Sequence, residues 1–423
     1  MNRTGKNVIV GQSGGPTAVI NSSLVGVYKT AKDRGAHTIY GMLHGIQGLL
    51  EEKIVDLSIH IPDDLAIELL KRTPSSFLGS CRYRLPEVEL HHPIYEKLFE
   101  IFNRLQIGYF FYIGGNDSMD TIKKLSDYGQ LINSDIRFMG VPKTIDNDLA
   151  VTDHTPGFGS AAKYIGTITK EVIRDALVYD IPNVTIMEIM GRNAGWLTSA
   201  AALAHCEDCI GPDLIYLPEV AFNYDSFLED VRSVMTSKKA IVIAVSEGIR
   251  LEDGRYVCEL SMDGLEYIDA FGHKALTGTA RYLSDRLARE LGCKTRSIEL
   301  STLQRCASHM VSRVDITEAF QVGGAAVKAA FEGMSGQMII LKRVSDDPYM
   351  CITDVYDVHE IANVEKKVPR EWINEAGNNI MPELINYIKP LIHAELTPTM
   401  VDGLPRHLPL SAITIDNQRK ERI

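Results

Sequence analysis

A short apolar strand, a glycine-rich turn and a helix occur twice in this chain, and that repeat limits the fold more than any other feature. The first copy has an apolar run at 7–10, then Gly11-Gln12-Ser13-Gly14-Gly15-Pro16-Thr17, then a helical pattern from 18 to about 34. The second has an aromatic-rich run at 107–113, closed by Gly114-Gly115-Asn116-Asp117-Ser118, with a helix expected over 118–128. Runs that are apolar without alternation are buried on both faces, and the helices between them are the crossovers that parallel strands require. Further strands are expected at 137–141, 184–189, 214–217, 240–245, 295–300 and 338–342, with helices over 270–291 and 316–332. The pattern predicts an α/β protein with mainly parallel sheets. Residues 41–50 read as one more strand and loop, and 153–160 as a flexible crossing between domains. From 348 the periodicity fades into an appended helical segment and an irregular tail over 396–423. A chain of 423 residues exceeds one ordinary core, so two domains are expected.

The strand ends carry the chemistry. A glycine loop opening a helix offers backbone N–H groups to a phosphate, and a Cβ there would hold the phosphate off the amides. The 11–17 loop is neither a Walker A nor a clean G-x-G-x-x-G, so a plain tight turn also accounts for it. Arg82 ends the small-residue turn 73–82 and reads either as a surface charge or as a phosphate clamp, because its fork matches two oxygens. Asp117 beside a phosphate-cradling loop would repel the phosphate unless a cation lies between, which points to Mg²⁺. Ser118 reads as the N-cap of the helix it opens. The segment 141–148, V-P-K-T-I-D-N-D, places Lys143, Thr144, Asp146 and Asp148 past a strand's carboxyl end, where open α/β sheets bind ligands. Pro142 stops the strand and stiffens the loop that aims the carboxylates. Later strand ends supply Met190-Gly191-Arg192, Glu247, Arg296 and Arg305. A carboxylate base, a metal position, a lysine and several arginines suit phosphoryl transfer between two anions, where catalysis is mostly positioning and charge stabilisation.

Composition narrows the partners. A net charge of −11 leaves no basic stripe for nucleic acid or an anionic membrane surface. No apolar segment approaches the ~20 residues that cross a bilayer. The polar residues 1–6 lead straight into a strand, so no signal peptide is expected, and seven scattered cysteines fit a reduced, cytoplasmic protein. Cys206 and Cys209, with His205 beside them, form a C-x-x-C with no second ligand pair to complete a zinc site.

Over about residues 7–345 the chain resembles the phosphofructokinases. The resemblance rests on S-G-G at 13–15, F-L-G-S-x-R at 77–82, G-G-x-D-S at 114–118 and P-K-T-I-D-N-D at 142–148. It continues through M-G-R at 190–192, E-G at 247–248, and T-R with Q-R between 295 and 305. It implies two Rossmann-like domains with the active site in the cleft between them and a C-terminal helical extension. The donor domain would be 1–150 plus about 306–360, the sugar-phosphate domain about 151–305, and the extension about 361–423. It implies Asp146 as the general base that takes the proton from the sugar's 1-hydroxyl. Thr144, Asp148, Met190, Gly191, Arg192, Glu247, Arg296, Thr302 and Arg305 fall at sugar-phosphate positions. Gly14, Gly15, Arg82 and Gly115 fall on the phosphoryl donor. Mg²⁺ as cofactor and a homodimer or homotetramer are also implied.

The donor follows from two side chains. ATP-using bacterial members resemble G-G-D-G-S and P-G-T-I-D, with glycines where this chain has Asp117 and Lys143. A carboxylate at 117 opposes a nucleotide's α-phosphate by bulk and by like charge. Lys143 adds a cation suited to departing phosphate. This pair is similar to that of the pyrophosphate-dependent branch, implying reversible transfer from diphosphate to fructose 6-phosphate. Three departures stand out. The family's metal-linked aspartate is Asn116, whose amide oxygen brings no charge to a metal. A histidine of the sugar motif is Thr302, and an arginine lent to a neighbouring subunit falls near Asn183. They leave room for a larger acceptor such as sedoheptulose 7-phosphate. An ATP-dependent kinase of the same fold is the nearest rival. A non-catalytic sugar-phosphate sensor predicts a missing base, and a dinucleotide oxidoreductase predicts a different glycine loop.

Overall fold

The computed structural model describes residues 5–261 and 276–409. In chain order its main strands are β1 (Asn7–Gln12), β2 (Ile39–Met42), β3 (Ile54–Asp56), β4 (Ile107–Gly114), β5 (Arg137–Pro142) and β6 (Asn183–Ile189). There follow the two-residue pair β7 (His205–Cys206) and β8 (Cys209–Ile210), then β9 (Leu214–Tyr216), β10 (Ala240–Ser246), β11 (Lys294–Glu299), β12 (Gln337–Asp346) and β13 (Tyr349–Asp357). Seven strands form one sheet in the order β13-β12-β5-β4-β1-β2-β3, and four form another in the order β11-β6-β10-β9. The smaller sheet is wholly parallel, and the larger is parallel except at its two edges, β3 and β13. The central strands β1, β4, β6 and β10 are buried at every residue, as unbroken apolar runs require.

Register sets the loops side by side. Gln12 pairs with Ile113 and Gly114 with Pro142, so the carboxyl ends of β1, β4 and β5 lie in a row. Ile189 pairs with Ser246 in the smaller sheet, which aligns the ends of β6 and β10. The helices Ile20–Asp33 and Arg313–Phe331 approach closely at their glycines. A Cβ on Gly26 would lie 2.2 Å from the Phe320 carbonyl oxygen, and one on Gly323 would lie 2.1 Å from that of Ser23. This close approach brings the chain before the second helix, with Arg305, against the first glycine loop.

Several expectations change in detail. Residues 45–50 are helical rather than loop. The helix expected over 270–291 runs Thr279–Leu291, with 276–278 outside it and 270–275 outside the described residues. The 153–160 crossing is buried rather than loose. Asp315 accepts from the N–H groups of Gly157 and Ser160, both at 2.8 Å, and His154 sits between Asp153 and Glu318 at 2.7 Å each. Past β13 the only α-helix among the described residues is Pro382–Ile388. The tail reaches 409 with a small hairpin at 400–405, and 410–423 lie outside the described residues.

Candidate active site

The aligned strand ends open onto one cleft of about 500 Å³. At one end lie the glycine loops. Gly14 turns the backbone at φ 75°, a conformation that favours glycine, and a Cβ there would meet the Lys143 ammonium at 3.3 Å. Its N–H donates to the Cys81 carbonyl at 3.3 Å, and Ser80 Oγ donates back to the Gly14 carbonyl at 2.6 Å. The 73–82 turn carrying Arg82 is therefore fixed to the loop. Asn21 and Gln12 fix its other end, accepting from the N–H groups of Phe77 and Leu78 at 3.0 and 2.9 Å. The first helix starts only at Ile20. The helix N-terminus that faces the cleft is the second one, which begins at Asn116 with Gly115 as its N-cap. Ser118, expected to cap it, instead sits in the first turn and shares a 2.6 Å hydrogen bond with Ser13 Oγ, joining the two glycine loops.

Lys143 lies beneath the first loop, 2% exposed. Its ammonium donates to the carbonyls of Ser13 at 2.7 Å and Gly15 at 2.6 Å. Burial lowers its pKa to about 7, opposed by Asp146 and reinforced by Arg305. Asp117 lines the same end of the cleft, where Arg84 Nη2 and Nε reach its Oδ1 at 3.0 and 3.2 Å.

Asp146 and Asp148 line the middle of the cleft, while Asn147 between them turns inward in the left-handed region at φ 56°. Asn147 donates to Tyr387 Oη at 2.9 Å and accepts from Thr155 N–H at 3.0 Å, so the two carboxylates are aimed by what their neighbour holds. Thr144 Oγ1 accepts from Asp146 N–H at 3.1 Å. Burial raises the Asp146 pKa against the pull of Lys143, Arg192 and Arg305. Asp148 is raised to about 7 by burial, then by Asp146 and Glu365.

The far end is built from β6 and β10. Gly191 N–H donates to Glu247 Oε1 at 3.3 Å, and Met190 N–H to Gln304 Oε1 at 3.3 Å. Met190, Arg192, Glu247 and Arg305 line the cleft. Burial lifts Glu247 to about 8. Three expected residues do not line it. Gly191 supports from the backbone, Thr302 precedes the short helix that carries Arg305, and Arg296 pairs with Asp175 at 2.8 Å on the edge strand β11.

Asn116, expected to face a metal, lines the cleft but has its amide turned to a distant segment. Its Oδ1 accepts from Asn363 N–H at 2.8 Å and its Nδ2 donates to the Val364 carbonyl at 2.9 Å. Asn363 and Glu365 thereby enter the cleft wall. Asn193 donates to Glu365 Oε1 at 2.8 Å, and Lys366 N–H donates to the Asp148 carbonyl at 2.7 Å. Arg84, Asn193, Asn363 and Glu365 were not foreseen. Only Arg84 carried a signal: it lies two residues past Arg82, and both arginines line the cleft.

Outside the cleft, Cys206 and Cys209 are free thiols paired across β7 and β8. Among the described residues no helix is long and apolar enough to cross a membrane.

A family model described as Phosphofructokinase matches residues 7–330. A pyrophosphate–fructose 6-phosphate 1-phosphotransferase of Halomonas elongata is 38% identical over 419 residues, 98% of either chain. Another, of Methylococcus capsulatus, is 39% identical over 415 residues, 97% of either chain. A solved pyrophosphate-dependent phosphofructokinase from Nitrosospira multiformis superposes with a TM-score of 0.87 at 36% identity, covering 97% of this chain and 98% of that one.

Proposed function

The chain belongs to the phosphofructokinase family, and on that premise we propose that it moves a phosphoryl group reversibly from diphosphate to the 1-hydroxyl of fructose 6-phosphate. The observation that carries the donor is the Asp117 carboxylate in the cleft wall, ion-paired to Arg84, with Lys143 buried under the glycine loop beside it. Diphosphate fits against these groups, whereas a nucleotide must run past a carboxylate. The relatives in Halomonas elongata and Methylococcus capsulatus, similar over nearly their whole length, carry the same donor in their names.

Asp146 takes the proton of the sugar's 1-hydroxyl, and the freed oxygen attacks the near phosphorus as the bridging P–O bond breaks and phosphate leaves. Its raised pKa leaves it a stronger base than a free aspartate. Lys143 and Arg82 offset the charge that collects on the departing phosphate. Arg192 and Arg305 hold the sugar's 6-phosphate, since guanidinium forks match phosphate oxygens. The hard carboxylate oxygens that Asp148 and Glu365 bring to the cleft fit Mg²⁺, and these two would hold it in place of the engaged Asn116. Bound there, Mg²⁺ would neutralise charge on the diphosphate oxygens.

In this reading residues 1–150 with about 306–360 bind the donor, and about 151–305 bind the sugar phosphate. The enzyme works in the cytoplasm as a homodimer or homotetramer. Self-association is supported by the exposed apolar run Leu177, Val178, Tyr179 and Ile181 beside Arg296. The test is a phosphorus NMR assay of the protein with Mg²⁺ and fructose 6-phosphate, given either diphosphate or ATP. Consumption of diphosphate with formation of fructose 1,6-bisphosphate is expected; turnover with ATP alone would overturn the reading.

A further inference from the structure

The donor end of the cleft is closed by more than one carboxylate. Residues 84–87 run along the helix Asn116–Leu131 and are fastened to it at two places. Arg84 reaches Asp117 in the helix's first turn with two nitrogens, at 3.0 and 3.2 Å on the same oxygen. Two turns further along the same face, Lys124 donates to the Leu85 carbonyl at 3.1 Å and pairs with Glu87 at 3.1 Å and with Asp120 at 2.9 Å. Tyr95 Oη holds the next carbonyl, that of Pro86, at 2.7 Å. The backbone just past Arg84 is thus pinned, and its guanidinium has a short, fixed reach to the cleft. Arg84 is also the second arginine of Arg82-Tyr83-Arg84, and both arginines line the same cleft.

Building on the diphosphate reading above, we propose that Arg84 is a donor-specificity residue: with Asp117 it forms the wall that shuts out a nucleoside, and its guanidinium receives the outer phosphate of diphosphate. The chemistry is consistent on both counts. Two of its nitrogens bind one Asp117 oxygen, so it holds that carboxylate across the donor end and lessens its repulsion of an incoming phosphate. A planar fork beside Arg82 suits the terminal oxygens of a small polyanion. A nucleoside triphosphate placed with its reacting phosphate at Lys143 must send its ribose and base outward through the seam between residues 84–87 and the helix. The pair stands in the way of a nucleoside while Arg84 takes the outer phosphate of diphosphate.

The pair is half-exposed, with Arg84 56% and Asp117 27% accessible, so its loss should not unfold the protein. The experiment compares Arg84→Ala with wild type in initial rates on diphosphate and on ATP, at saturating fructose 6-phosphate and Mg²⁺. The expected result is a KM for diphosphate raised about tenfold, with kcat and the KM for fructose 6-phosphate little changed. The ratio of kcat/KM with ATP to that with diphosphate should rise about tenfold or more, since the loss with diphosphate alone gives about tenfold; a smaller rise overturns the proposal. If wild type fails to turn over diphosphate at all, the functional reading falls and this proposal with it. If wild type uses diphosphate and the ratio stays put, only the role of Arg84 falls.

Discussion

Replacing Lys143 with methionine keeps the length of the side chain and removes its charge, at a site where the structure allows the effect to be worked out. The ammonium is held by two carbonyls, at 2.7 and 2.6 Å, under the first glycine loop, which is proposed to hold the donor. At a contact of about 4 Å and an effective dielectric near 20, it is worth roughly 4 kcal/mol to one added charge on the departing phosphate. Allowing for some compensation by Arg82, kcat/KM for diphosphate should fall about 10²–10³-fold. Folding should suffer much less. Freeing two carbonyls costs about 1–3 kcal/mol each, and removing a buried cation recovers part of that. The pH profile gives a second signature. Burial holds Lys143 at about 7, so the protonated form is lost from the free enzyme as pH rises through that value. Wild-type kcat/KM for diphosphate should therefore decline on the alkaline side, and the methionine variant should lack that limb. Initial rates between about pH 6 and 9, with a melting curve for each protein, decide the matter. A natively folded variant losing less than about tenfold, or keeping the alkaline limb, would refute the assignment.

Two further outcomes follow from the same geometry. Asp146→Asn should retain fructose 6-phosphate affinity, read by isothermal titration, while kcat drops by ~10²–10⁴, and near-normal turnover would remove Asp146 as the base. His154 is a stability device rather than a catalyst. Burial alone would lower its pKa, but Glu318 and Asp153 outweigh it and hold it at about 9. Its contribution is complete below the unfolded value near 6.5 and is lost as pH rises through about 9, a loss of order 3 kcal/mol. Urea midpoints of wild type and His154→Gln should therefore converge between those pH values, whereas a constant gap would show that the imidazolium is not the source.

The parallel core and the loops at its carboxyl ends were legible in the sequence, because unbroken apolar runs such as β4 and β10 and the glycine pairs at 14–15 and 114–115 are local signals. The carboxylates of the 141–148 loop were legible for the same reason, but their aim was not. Asn147 looks like one more polar loop residue until Tyr387 is found against it, 240 positions away. The partners of Asn116 were not legible, because Asn363 and Val364 lie in a stretch with no periodicity to place them. The 153–160 crossing has the glycine and proline of a loose linker. What buries it is Asp315, reached across more than 150 residues. Arg296 and Thr302 show the converse: motif position placed them on the sugar, but in this chain neither lines the cleft.

The account turns on whether the side chains at 117 and 143 choose the donor. The direct measurement is the ratio of kcat/KM for ATP to that for diphosphate in Asp117→Gly combined with Lys143→Gly, set against wild type with fructose 6-phosphate and Mg²⁺. Opening the slot and removing the buried cation should raise that ratio by about 10²-fold or more, through gained ATP turnover as well as lost diphosphate turnover. A folded double variant that keeps the wild-type preference would contradict the account.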